Sequence, residues 1–136
     1  MIGPVSIVVD TNVFVASAFN AGSASRCTVE GLLDGRLKLH WTPATRAETR
    51  RILGKIPKVS WDAVSVLFVD SGQFEGELRL SDYSHVSGSL DREFLALAEA
   101  VAVPLISSDD DLLGPRERSS TPVFTPGEFV DWWEGQ

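Results

Sequence analysis

Apolar runs and helical periodicities alternate along this chain, and the alternation predicts its elements. Val5-Ser6-Ile7-Val8-Val9 is short and β-branched, the pattern of a strand buried on both faces, and it stops at Asp10-Thr11-Asn12. Residues 13–19 read as a short helix. After a turn at Asn20-Ala21-Gly22-Ser23, Ser23 or Ser25 caps a second helix, in which Val29, Leu32 and Leu33 share a face up to Asp34-Gly35. Leu37-Lys38-Leu39-His40-Trp41 alternates as a second strand. Thr42 and Pro43 supply the cap and first residue of a helix that runs through Glu48 to Leu53 and breaks at Gly54 and Pro57. Ser60 caps a further helix with Val64, Leu67 and Phe68 on its apolar face.

Glu77-Leu78-Arg79-Leu80 is a weak strand candidate, and residues 82–89 read as a polar loop. The clearest helix covers 90–101, with Phe94, Leu95, Leu97, Ala98 and Val101 turned inward. Val103-Pro104-Leu105-Ile106 is a buried strand that runs into Ser107-Ser108-Asp109-Asp110-Asp111. Pro122-Val123-Phe124 is a last strand, and Thr125-Pro126 opens a terminal helix carrying Phe129, Trp132 and Trp133. Strands that alternate with helices imply the α/β class, a parallel sheet covered by helices on both faces. No repeat or linker interrupts the pattern, so residues 1–136 are expected to form a single domain.

Composition narrows the function. Twelve Lys and Arg stand against nineteen Asp and Glu, a net charge of −7. That argues against a passive nucleic-acid binder with a basic face. It leaves room for a protein that sets divalent cations between its own acids and a phosphate. The single cysteine, Cys27, excludes an intrachain disulfide and reads as a small buried residue. The N-terminus lacks the basic flank of a signal peptide, and no apolar stretch approaches the roughly 20 residues that span a bilayer. The expectation is a soluble, cytoplasmic protein.

The candidate chemistry lies in the acids. Ligands of open parallel sheets bind beyond the carboxyl ends of the strands. Asp10 ends the first strand, and Asp109 follows the strand before the last. These two strands become neighbours if the sheet reverses beside the first strand. Glu48 and Asp91 sit near the starts of helices, so four carboxylates can converge on one edge. Each alone has a plainer explanation: a cap, a solvated residue among Arg46, Arg50 and Arg51, a first-turn acid or a loop acid. Together they repel one another unless a hard cation such as Mg2+ or Mn2+ joins them. Two such ions roughly 3.5–4 Å apart can activate a water and stabilise the leaving oxygen of a phosphodiester.

These residues fall in motifs. Val8-Val9-Asp10-Thr11-Asn12-Val13, Thr42-Pro43 followed by Glu48, Asp91-Arg92-Glu93-Phe94-Leu95-Ala96-Leu97-Ala98, Ser107-Ser108-Asp109-Asp110-Asp111-Leu112-Leu113 and Phe124-Thr125-Pro126-Gly127-Glu128-Phe129 occur in order over nearly the whole chain. In this the sequence resembles the PIN-domain nucleases, and within them the toxins of toxin–antitoxin systems. The resemblance implies a three-layer α/β/α fold around a parallel sheet of about five strands. It implies Mg2+- or Mn2+-dependent cleavage of RNA, a cognate antitoxin partner and a homodimer. By position, Asp10, Glu48, Asp91 and Asp109 become the catalytic metal site, with Asp111 as a supplementary ligand. Thr11, Asn12 and Ser107 become its supporting polar residues. Ser108 departs from the family's usual Gly.

Competing readings are weaker. A haloacid-dehalogenase-type phosphotransferase needs a second Asp where Asn12 stands, and a receiver-like domain needs a late Lys that residues 105–124 lack. A PIN-fold scaffold or RNA-processing protein with little turnover and no antitoxin is the main alternative. Trp132 and Trp133 are expected to divide between packing on the sheet and an interface, and Trp41 and Trp61 to lie in or near the core. Arg46, Arg50 and Arg51 are either phosphate contacts or a solvated helix face. His85 has no partner at metal-ligand spacing.

Overall fold

The computed structural model describes residues 3–136, so Met1 and Ile2 of the expected 1–136 domain lie outside the described residues. Strands β1 (Val5–Val9), β2 (Leu37–Leu39), β3 (Leu105–Ile106) and β4 (Val123–Phe124) form one parallel sheet in the order β2-β1-β3-β4. Ile7 is opposite Leu39, and Val9 is opposite Ile106. The first and third strands are therefore neighbours, as a sheet that reverses beside its first strand requires.

Seven α-helices connect and cover the strands among the described residues: α1 (Thr11–Phe19), α2 (Ala24–Leu33), α3 (Pro43–Leu53), α4 (Trp61–Ser65), α5 (Ser89–Val101), α6 (Asp110–Leu113) and α7 (Pro126–Glu134). Side chains of β1 alternate between two cores, because successive strand residues point to opposite faces. Ile7 and Val9 join Val13, Phe14, Val29, Leu32 and Phe129, whereas Val8 joins Phe94, Leu95, Leu97 and Ala98. The arrangement is three layers, α/β/α. Each fully buried Leu or Phe contributes about 1.5–3 kcal/mol, so β1 is clamped from both sides and its end is a rigid place for a functional group.

The sheet has four strands rather than about five. Residues 77–80 add none: Glu77 and Arg79 are exposed, Leu78 packs on the α5 core, and Leu80–Tyr83 is a 3-10 turn. Residues 72–74 run beside the end of β2 instead. The Trp41 N–H donates to the Gly72 carbonyl (3.0 Å) and the Phe74 N–H to the Trp41 carbonyl (2.8 Å), which makes one isolated parallel bridge, Trp41 to Gln73. Gly72 suits this approach because a Cβ there would run into the Leu39 carbonyl oxygen.

The strands are shorter than their apolar runs. Pro104 and Pro122 precede β3 and β4 and contribute only carbonyls, to Val8 N–H (2.9 Å) and Leu105 N–H (3.0 Å), as residues without an N–H must. Helix α1 starts at Thr11, directly on the end of β1. Cys27 is half-buried, not a core residue. No helix of the described residues is long and apolar enough to cross a membrane.

Candidate metal centre

The end of β1 delivers Asp10, and the end of β3 delivers Ser107 and then Asp109. Because the strands pair, these groups meet. The Ser107 hydroxyl donates to Asp10 Oδ2 (2.8 Å) and accepts from the Asp109 N–H (3.0 Å), so one buried serine ties both acids together. Asp10 occupies the N-cap position of α1 yet makes no side-chain cap bond, and only 4% of it is exposed. Its side-chain hydrogen bond is the one from Ser107. Asp109 does cap its helix, accepting from the Asp111 N–H through Oδ1 (2.9 Å), which leaves Oδ2 for other work.

Helix α5 brings Asp91 from the far side in its first turn. The residue before the helix, Gly88, has φ +73°, a conformation that favours glycine, and a Cβ there would lie 3.2 Å from Asp91 Oδ2. Asp91, Asp109 and Asp111 each place a carboxylate oxygen so that the three lie within 4.8 Å of one another. Glu48 approaches from α3 and is the weakest of the four charges acting on Asp91. It is engaged by Arg51, whose Nη2 lies 2.6 Å from Glu48 Oε1.

Crowding alters the acids. Burial, then the charges of Asp109, Asp10, Asp111 and Glu48, push Asp91 up to about 6. Asp10 is also raised, by burial first and by Asp109; the Ser107 hydrogen bond and the backbone amides of Asn12 and Thr11 oppose the rise. Among the described residues, the side chains grouped here that could hold a cation are all carboxylates. That set fits a hard divalent cation such as Mg2+ or Mn2+.

The remaining candidates separate. The Thr11 hydroxyl lies 3.0 Å from that of Thr49 in α3, both buried, so its side chain joins two helices and does not reach Asp10. Asn12 is exposed. Ser108 has no positive φ, so its replacement of Gly brings no strain to the loop. Arg46 stacks over Trp61 at 5.2 Å, Arg50 is exposed, and His85 lies beside Tyr83. Trp133 stacks on Phe129 and Trp132 on Phe124, at the sheet's edge. Trp41 and Trp61 both meet Phe68.

Several contacts escaped the sequence reading. Thr42 donates to Glu93 Oε2 (2.8 Å), joining α3 to α5, and the Thr45 and Thr49 hydroxyls extend a polar line along the buried face of α3. The signal was the spacing of Thr42, Thr45 and Thr49, one helical face of small hydroxyls. A cleft of 590 Å3 lined by Val5, Cys27, Arg36 and Trp133 lies at the amino ends of the strands, away from the acids.

No protein-family model matches the sequence, and no curated protein matches it. Among solved structures, the chain is similar to the protein PAE2754 of Pyrobaculum aerophilum, with a TM-score of 0.53 and 16% identity over 99% of this chain and 100% of that one. It is also similar to VapBC2 of Rickettsia felis, solved bound to a DNA fragment from the promoter, with a TM-score of 0.54 and 16% identity over 88% of this chain and 96% of that one. The fold is PIN-like. In this PIN-like fold the acids lie beyond the carboxyl ends of β1 and β3, the position where open parallel sheets take their ligands.

Proposed function

We propose that this protein is a Mg2+- or Mn2+-dependent ribonuclease that hydrolyses RNA phosphodiesters, with Asp10, Glu48, Asp91 and Asp109 as its catalytic metal residues and Asp111 as a supplementary one. The observation that carries the reading is the approach of Asp91, Asp109 and Asp111 oxygens to within 4.8 Å, with Asp10 tied to the group through Ser107. Such a set is costly to hold without cations. Bound cations would supply charge neutralisation and an activated water. Ser107 fixes the Asp10 carboxylate and the Asp109 backbone at one separation. Asp111, exposed at the rim, would hold a cation together with Asp91 and Asp109.

The wider role we propose is that of a cytoplasmic, homodimeric toxin held in check by an antitoxin. The motif resemblance and the structural likeness to VapBC2 support it. Asp10→Asn is expected to abolish Mg2+-dependent RNA cleavage with the fold intact by circular dichroism. Wild-type protein is expected to bind Mn2+ in calorimetry. Absence of binding rejects the nuclease and leaves a scaffold.

A further inference from the structure

Charge is unevenly spread. Residues 43–58, which hold α3 and the turn after it, carry five of the twelve cations and one of the nineteen acids, a local balance of +4 in a chain of −7. The rest is therefore at −11. RNA meets net repulsion from such a molecule as a whole, and this stretch carries the opposite sign.

The stretch also contains Glu48, whose charge acts on Asp91. Thr45, Thr49 and Leu53 are the buried face of α3, and the cations lie outside it. Arg51 touches Glu48 at 2.6 Å, and Arg50, Lys55 and Lys58 continue outward as exposed side chains. Arg46 is held over the Trp61 ring at 5.2 Å, so its guanidinium is fixed in place. Helix α3 packs against both α5, which bears Asp91, and α1, which begins after Asp10. A chain lying along these cations thus leads to the carboxylate cluster.

We infer that the outer face of α3 and the turn to Lys58 bind the phosphate backbone of single-stranded RNA and guide it to the acidic site. The inference rests on the ribonuclease reading. Arginine matches phosphate oxygens with two parallel N–H bonds, and lysine adds point charge. Such contacts position the strand and read no sequence. The acids that need a cation and the cations that need a phosphate then divide the work between chemistry and grip.

The test measures anisotropy of a fluorescent single-stranded oligoribonucleotide with the full chain carrying Asp10→Asn, in Mg2+, over a salt series. Adding Arg50→Ala, Lys55→Ala and Lys58→Ala is expected to weaken binding on the order of tenfold or more. It is expected to flatten the slope of log affinity against log salt by about 2, since each lost phosphate contact on a single strand removes about 0.7. Arg50→Glu alone is expected to weaken it in the same sense, and all these variants keep wild-type Mn2+ affinity in the Asp10-containing background. An unchanged slope overturns the inference. So does RNA binding left intact while binding to an acidic polypeptide, poly-glutamate, is lost, which assigns the surface to a protein partner. The nuclease reading fails separately, by loss of Mn2+ binding or by cleavage that survives Asp10→Asn.

Discussion

Ser107 holds Asp10 with one lone hydroxyl, and Thr49 holds Thr11 in the same manner. Small buried hydroxyls are cheap to satisfy in pairs and expensive to strand alone. Thr49 donates to the Thr45 carbonyl (2.9 Å), so Thr11 is left to donate to Thr49. Thr49→Val removes that acceptor and leaves the Thr11 hydroxyl buried without a partner. The expected cost is about 1–3 kcal/mol in denaturant unfolding, with Thr49→Ser recovering most of it. A Thr49→Val variant as stable as wild type would show that the hydroxyl pair contributes nothing. The hydroxyl roles were half legible: Ser107 follows a strand and precedes an acid, whereas the partnership of Thr11 with Thr49 joins residues 38 positions apart.

At the scale of elements, the apolar runs located the four strands and six of the seven α-helices, with ends that moved by a few residues, and the short α6 (Asp110–Leu113) was not anticipated. Asp10 and Asp109 were placed correctly because a strand end is a sharp sequence event, a β-branched run meeting a polar residue. Glu77-Leu78-Arg79-Leu80 alternates like a strand but finds no partner edge, since residues 72–74 already occupy the end of β2. That contact depends on a glycine. Gly72→Ala is expected to cost about 1–3 kcal/mol or more by overpacking against the Leu39 carbonyl. Hydrogen exchange at the Trp41 and Phe74 amides should rise selectively. A melting temperature equal to wild type would show that the backbone yields without cost.

For the whole molecule, charge crowding sets the balance between fold and function. Asp91 ionises in the unfolded chain near its ordinary 3.8 and in the folded chain at about 6. The folded state therefore holds the extra proton between those values, and stability falls as pH rises from about 3.8 through about 6. Asp10, raised in the same direction, adds to the slope. Without divalent cations, Asp91→Asn is expected to raise the melting temperature at pH 7 relative to wild type and to make the decline across that window shallower, leaving the part due to Asp10. Added Mn2+ is expected to stabilise wild type and leave Asp91→Asn nearly unmoved, since binding to the native state alone raises stability by mass action. A Mn2+ response that survives in Asp91→Asn would remove this acid from the cation set.

Sequence alone determined the alternation of strands and helices, the two-faced burial of β1 and the places of Asp10 and Asp109 after strand ends, because apolar periodicity and strand ends are local properties of the chain. Tertiary structure decided the count of four strands, the bond from Ser107 to Asp10, the hydroxyl line along α3 and the engagement of Glu48 by Arg51. Whether an edge is free, or which oxygen faces a hydroxyl, depends on which distant segments arrive side by side, and no local pattern carries that information.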